Sequence, residues 1–267
     1  MALKELADGK IVGGRDGAVG RLIINNPERH NALSLAMWDG GAELVGQLAD
    51  DPETRLLVIS GAGGKAFAAG ADISKFEEER ATPEAVEHYK NTNSRFYAAI
   101  TNFPKPVIAK INGYCIGGGL ALAICCDIRI CEEGSRFAVP AAKLGLGYGF
   151  DGIRQLANIV GPSMAAEIFY TARQFSSTEA YDMGLVNRVV IADALDAYVE
   201  DYASRISENA PLTIAAVKAV KLAIESDPDQ RDLAAIEAMV KACFESEDYT
   251  EGRQAFMEKR KPNFTGR

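Results

Sequence analysis

Two glycine-rich segments carry the chemistry this sequence offers most openly. The first is Lys65-Ala66-Phe67-Ala68-Ala69-Gly70-Ala71-Asp72-Ile73, and the second is Asn112-Gly113-Tyr114-Cys115-Ile116-Gly117-Gly118-Gly119. Each is a run of small residues between a strand and a helix. Small residues at a helix N-terminus leave backbone N–H groups open to a ligand, and the helix dipole adds positive potential there. Two such turns side by side can aim two amides at one oxygen, which is the geometry of an oxyanion hole. Taken singly, either cluster reads as a tight turn or a close-packing site, because glycine is the default turn residue. The pair is what points to chemistry.

Few other side chains compete. The two histidines, His30 and His88, lie far apart, so there is little from which to build a zinc site, and no metal is expected. The five cysteines, Cys115, Cys125, Cys126, Cys131 and Cys243, are odd in number and include no C-x-x-C pair. They read as reduced core residues of an intracellular protein. Cys115 lies in the second turn, but nothing near it in sequence would lower its pKa, so packing is the expected role. The net charge of -8 comes from 37 acidic against 29 basic residues without a long single-sign run. That argues against a nucleic-acid partner, which needs a concentrated basic face. The cluster Lys259-Arg260-Lys261 can still meet a small phosphorylated ligand. The start has no apolar signal core, and no apolar run is long enough to cross a bilayer, so a cytoplasmic location with no membrane partner is expected.

The elements that must hold the two turns are legible from periodicity. A chain of 267 residues, 48% of them hydrophobic, can bury the core of one large domain, with or without a helical appendage. Gly20 to Asn25 reads as a strand ending at Asn26-Pro27, with Ser34 then the N-cap of a helix that runs to Asp50. Arg55 to Ser60 is a continuous apolar strand, suited to a sheet buried on both faces. Thr82-Pro83 starts a helix carrying Val86, Tyr89, Asn93, Phe96, Tyr97 and Ile100, which Pro104 and Pro106 end. Val107 to Ile111 is a strand, Leu120 to Cys125 a helix and Asp127 to Cys131 a strand, the pattern of a parallel sheet with crossover helices. Past residue 195 only helices are predicted, over 195–208, 211–225 and 229–245. The expected division is a core over 1–194 and a helical region over 195–267, with no internal repeat visible.

At this point the sequence resembles a family. The strings NNPERHNALS (25–34), KAFAAGADI (65–73), INGYCIGGGL (111–120), GLVNRVV (184–190) and EGRQAFMEKRKPNF (251–264) are similar in order and spacing to the crotonase (enoyl-CoA hydratase/isomerase) superfamily. The resemblance runs from about residue 10 to the C-terminus. It implies an α/β fold, the crotonase/ClpP-like spiral of ββα units with a C-terminal helical subdomain, that assembles as a homotrimer or hexamer. It implies an acyl-CoA substrate, with coenzyme A entering as part of that substrate and no permanently bound cofactor. By the same resemblance the backbone amides of Ala71 and Gly118 hold the thioester oxygen. Arg29, Ala69, Gly70, Asp72, Ile73 and Gly117 line the CoA groove, and Phe256 and Lys259 contact the nucleotide end.

The departures from the family matter as much. Family hydratases carry one glutamate two residues after the glycine triplet and a second just after a proline in the next turn. Here those positions are Ala121 and Ala141, and neither can transfer a proton. The turn Gly145-Leu146-Gly147-Tyr148-Gly149-Phe150-Asp151-Gly152 remains, which in the family runs beneath the acyl group. Tyr148 falls where methylmalonyl-CoA decarboxylase-like members also carry tyrosine; a phenol there could bind a substrate carboxylate or protonate the enolate carbon, and a packed tyrosine is the equal alternative. Those decarboxylases place a histidine where this chain has Ala71. Asp151 is either a relocated acid/base or, the preferred reading, a helix N-cap. The Glu77-Glu78-Glu79-Arg80 run reads as a solvated lid segment. The resulting expectation is an acyl-CoA lyase that stabilises an enolate, with decarboxylation of a malonyl-type thioester ahead. The alternatives are an enoyl-CoA hydratase/isomerase with a relocated acid/base (Asp151 or Tyr148) and a non-catalytic acyl-CoA binding protein.

Overall fold

The computed structural model describes residues 3–72, 79 and 81–267. Two sheets organise it. The larger has seven strands in the order β1-β2-β3-β4-β6-β8-β11, namely β1 (Lys4–Leu6), β2 (Ile11–Asp16), β3 (Val19–Ile24), β4 (Leu56–Gly61), β6 (Val107–Ile111), β8 (Ile128–Glu132) and β11 (Arg188–Val190). From β3 onward every pairing is parallel, with Leu22 opposite Ile59 and Val58 opposite Ile108; the first hairpin is antiparallel. The smaller sheet runs β10-β9-β7-β5, from β5 (Ala66–Ala68), β7 (Tyr114–Ile116), β9 (Arg136–Ala138) and β10 (Phe175–Ser176).

The helices are α1 (Leu35–Asp50), α2 (Pro83–Thr101), α3 (Gly118–Cys125), α4 (Phe150–Thr171), α5 (Ser177–Asp182), α6 (Leu195–Ser207), α7 (Pro211–Glu225), α8 (Leu233–Glu245) and α9 (Glu247–Glu258). Three successive stretches then share one plan. β4, β5 and α2, then β6, β7 and α3, then β8, β9 and α4 each give one strand to each sheet before a helix. This is the spiral of ββα units expected of the α/β fold. The repeat is hidden in the sequence because its second strands are three residues long, too short for a period of two to register.

The strand run Leu56 to Ile59 shows why the large sheet needs cover on both faces. Leu57 and Ile59 enter the main core with Trp38, Phe67 and Phe96, while Leu56 and Val58 join Ile108, Ile130, Leu195 and Val199 on the other side. Alternate side chains of a strand point to opposite faces, so a continuous apolar run demands two layers. The second layer is α6, which buries Leu195, Val199 and Ala203, four residues apart. Burying each such large aliphatic side chain contributes about 1.5–3 kcal/mol. α7 is tied to the core by a nearly enclosed ion pair, Lys218 Nζ donating to Asp127 at 2.6 and 2.7 Å, while Asp127 also accepts the Val107 N–H at 2.8 Å.

Two expected caps differ. Ser34 sits at the N-cap of α1 but its side chain caps nothing; the Leu35 N–H instead donates to Glu79 Oε1 at 3.2 Å. Asp151 is not the cap of α4 either. Gly149 holds that position and Asp151 lies inside the first turn, where its charge faces the positive end of the helix dipole. Thr82 does cap α2, accepting from Ala85 N–H.

Candidate active site

The loop Pro27–Asn31 is where the site begins. His30 and Asn31 both take left-handed backbone, with φ of 50° and 57°, a conformation that asparagine tolerates better than most residues. Asn31 is fully buried. Its Oδ1 accepts the Asn26 N–H at 2.9 Å and its Nδ2 donates to the carbonyls of Ala62 and Ala66 at 2.9 and 2.6 Å. The side chain thus clamps this loop to both ends of the turn between β4 and β5. The sequence reading passed over Asn31, although its buried amide is what holds the first glycine-rich segment in place.

The two glycine-rich segments meet. β5 and β7 are parallel neighbours, and at Gly113, φ +58°, an added Cβ would stand 1.9 Å from the Lys65 carbonyl oxygen. Only glycine allows that approach. One step along, a Cβ on Gly70 would lie 3.2 Å from the Gly118 nitrogen and 3.0 Å from the Ile116 oxygen. Several amides around this junction are already claimed, whereas those of Gly70, Ala71, Gly118, Gly119 and Leu120 have no backbone acceptor among the described residues. Ala69 N–H donates to His30 O at 3.0 Å, Asp72 N–H to Leu33 O at 3.0 Å, Gly117 N–H to Ala138 O at 2.8 Å and Ala121 N–H to Gly117 O at 3.0 Å. Ala71 and Gly118 N–H have no acceptor among the described residues. Gly118 is the first residue of α3, so its N–H has no partner inside the helix.

These amides open on a chamber of about 830 Å³ lined by Ala69, Gly70, Ala71, Gly117, Gly118, Tyr148 and Asp151 among the expected site residues. Ala121 and Ala141 line it too, so the two positions where the family places glutamates face the chamber as methyl groups. Asp151 is the only carboxylate among the described lining residues. Its side chain is 92% exposed and lies 3.7 Å from Arg154. Tyr148 packs edge-on against Phe169 with ring centroids 5.0 Å apart and is 37% exposed.

Tyr97, expected only as a helix-face residue, turns out to frame the amide pair. Its hydroxyl donates to the Gly118 carbonyl at 3.1 Å and its ring stands edge-on to Trp38 at 5.3 Å. The ring faces the chamber while the hydroxyl oxygen is enclosed, and that burial, reinforced by Cys125, Tyr148 and Tyr89, holds the phenol well above its usual pKa. Cys125, also on the wall, is pushed by burial up to about 11. Cys115 is buried in the core and raised further by burial, in keeping with a packing role.

The remaining candidates are dispersed. Arg29 and Asp72 form an ion pair at 3.3 Å beside the first turn. Ile73 lies outside the described residues, as do Glu77, Glu78 and Arg80 of the acidic run. Phe256, 82% exposed, lines a different hollow of about 970 Å³ between α7, α8 and α9, and Lys259 ends α9 in left-handed backbone. Neither lines the chamber. Among the described residues no group of three His, Cys, Asp or Glu gathers as metal ligands would, and no helix is long and apolar enough to cross a membrane.

The sequence model of a family described as enoyl-CoA hydratase/isomerase matches residues 14–267. A crotonyl-CoA hydratase from Syntrophomonas wolfei is 38% identical over 244 residues, 91% of this chain and 93% of that protein. A carnitinyl-CoA dehydratase from Salmonella enteritidis is 35% identical over 260 residues, 95% and 97% of the two chains. Among solved structures, an enoyl-CoA hydratase/carnithine racemase from Magnetospirillum magneticum superposes with a TM-score of 0.91 at 38% identity, covering 98% of this chain and 97% of that one.

Proposed function

Because this chain belongs to the enoyl-CoA hydratase/isomerase family, an acyl-CoA-acting crotonase family, we propose that it is a lyase that polarises an acyl-CoA thioester with the Ala71 and Gly118 amides and generates its enolate by loss of carbon dioxide. The observation that carries this reading is the chamber's make-up: two unengaged amides, methyl groups at Ala121 and Ala141, and a tyrosine in place of a buried carboxylate. Abstraction of an α-proton needs a base within hydrogen-bond reach, and the only carboxylate among the described lining residues is the solvent-facing Asp151.

Decarboxylation needs no base. In a malonyl-type thioester the bond from the α-carbon to the carboxylate breaks, and its electron pair becomes the enolate. The charge gathers on the thioester oxygen, where two preorganised N–H donors stabilise it; losing one such donor costs about 10²–10³ in rate. The phenol of Tyr148 then gives its proton to the α-carbon and regains one from water. Arg29 and Asp72 would stand at the CoA mouth. The exposed apolar side chains Val217, Val220, Ile224 and Phe244, and Phe256 beside Lys259, support a trimer or hexamer in which the last helices cover a neighbour and reach its nucleotide. A cytoplasmic setting fits such an enzyme.

Hydration or dehydration is the second reading, favoured by the names of the two relatives. The test is mass spectrometry of malonyl-CoA, methylmalonyl-CoA and crotonyl-CoA after incubation with the enzyme and with Tyr148→Phe. Carbon dioxide loss that Tyr148→Phe abolishes is expected. Water addition to crotonyl-CoA without any decarboxylation would replace this proposal with the second reading, and tight binding of all three without turnover would leave a binding protein.

A further inference from the structure

One sector of the chamber wall beyond the amide pair is polar, set in a lining that also includes Val86, Ile116, Leu120, Ile124 and Val139. α2 presents Asn93, Tyr97 and Thr101 to it, spaced one turn apart, α3 presents Gly118, Ala121 and Cys125, and Gln155 reaches in from α4. Side chains four apart on a helix share a face, and a face meant for alkyl chains would carry leucine or valine there.

These groups form a connected patch. Gln155 Nε2 donates to the Ile124 carbonyl at 3.2 Å and to Thr101 Oγ at 3.5 Å, while its Oε1 lies 3.8 Å from Cys125 Sγ. The Cys125 thiol itself is turned to the Ala121 carbonyl at 3.1 Å. Thr101 accepts from Gln155 and its O–H is engaged with Cys125, which leaves the hydroxyl oxygen a spare lone pair. Gln155 Oε1 keeps acceptor capacity beside it, its contact being the long one from the Cys125 thiol. The patch therefore offers two acceptor atoms side by side.

Its distance from the chemistry follows from helix geometry. Tyr97 stands level with Gly118, and Thr101 with Cys125. At about 1.5 Å rise per residue, the steps from Tyr97 to Thr101 and from Gly118 to Cys125 place the patch roughly 6–10 Å from the Gly118 amide. An extended chain advances about 1.2 Å per bond, and a hydrogen bond spans about 3 Å, so an atom some three to six bonds beyond the thioester carbonyl reaches it. A methylene at that point would strip water from the two acceptors without replacing its hydrogen bonds, whereas a hydroxyl would replace one by donating its proton.

We propose that Thr101 and Gln155 form a subsite for a hydroxyl group carried down the acyl chain, so that the enzyme selects hydroxylated acyl groups over plain alkyl ones of the same length. This rests on the acyl-CoA reading above. Calorimetric titration with isosteric pairs tests it: ω-hydroxybutyryl-CoA against pentanoyl-CoA, and ω-hydroxyhexanoyl-CoA against heptanoyl-CoA, with coenzyme A alone as reference. In at least one pair the hydroxylated thioester should bind about tenfold more tightly. The preference should shrink to about twofold or less in Thr101→Val and in Gln155→Leu, with coenzyme A binding unchanged in both variants. Equal affinities in both pairs, tighter binding of the alkyl members, or a preference that survives both substitutions would overturn the subsite alone. Failure of coenzyme A and of all four thioesters to bind would overturn the acyl-CoA reading with it.

Discussion

Substituting Gly70 by alanine separates the two things this glycine does. Its φ is +96°, where an L-residue is strained by about 1–3 kcal/mol, and its added Cβ would press on the Gly118 nitrogen at 3.2 Å and the Ile116 oxygen at 3.0 Å. Gly64 provides the control, with a φ of +70° and no atom within 4 Å of an added Cβ. Gly64→Ala should show the strain alone, lowering the melting temperature by about 2–4 °C for each kcal/mol in a chain of this size. Gly70→Ala should show a similar strain together with a displaced amide. Relieving contacts this short moves the two loops apart by a few tenths of an ångström, and an oxyanion donor out of line costs about 10²–10³ in turnover. Infrared difference spectroscopy of a bound acyl-CoA with an isotopically labelled carbonyl reads the polarisation directly, whichever reaction follows. The wild type and Gly64→Ala should shift that carbonyl to lower frequency, and Gly70→Ala should lose most of the shift. If Gly70→Ala keeps the full shift and turns over within about threefold of Gly64→Ala, the Gly70–Gly118 junction does not hold the reacting oxygen.

Further outcomes follow from other parts of the structure. Asp151→Asn should leave turnover within about twofold, because an exposed carboxylate paired loosely with Arg154 contributes little; a collapse in rate would make Asp151 the acid. Lys218→Met removes the lysine that is only 4% exposed and leaves Asp127 with the more exposed Lys221 at 3.3 Å, and should cost about 1–3 kcal/mol in urea unfolding. Adding Asp127→Asn should recover part of that loss, and a single variant as stable as wild type would show that the pair does not hold α7. Glu251, held by Arg260 and the Asn263 N–H, is lowered from 4.5 to about 2. A carboxylate depressed on folding stabilises fully above its unfolded pKa, so this tie is complete above about 4.5 and is lost as pH falls toward 2. In amide NMR the Asn263 N–H should stay unshifted from about pH 5 to about pH 3 and titrate over that range in Arg260→Gln; titration in the wild type near the ordinary carboxylate value would refute the tie.

What the chain declares by itself is whatever local pattern controls. The strand Val107–Ile111 and the helix Pro211–Glu225 lie where periodicity and proline placed them, and Leu56–Gly61 is one residue off, because alternation and helical spacing are properties of neighbours in sequence. The two glycine runs were legible for the same reason, as was the absence of acid at Ala121 and Ala141. Other features depend on residues far apart in the chain. Glu79 rather than Ser34 meets the first amide of α1, and strands of two or three residues build the smaller sheet. Asn31 clamps Ala62 and Ala66, Tyr97 reaches Gly118, and Gln155 joins Thr101 across the chamber. Phe256 and Lys259, which the family resemblance assigns to CoA contacts, lie outside the chamber lining. Composition and spacing decided which backbone amides were available. Only the packing of the two ββα turns against each other decided that Ala71 and Gly118 line one chamber, because which amides stay unclaimed there depends on carbonyls remote in the chain.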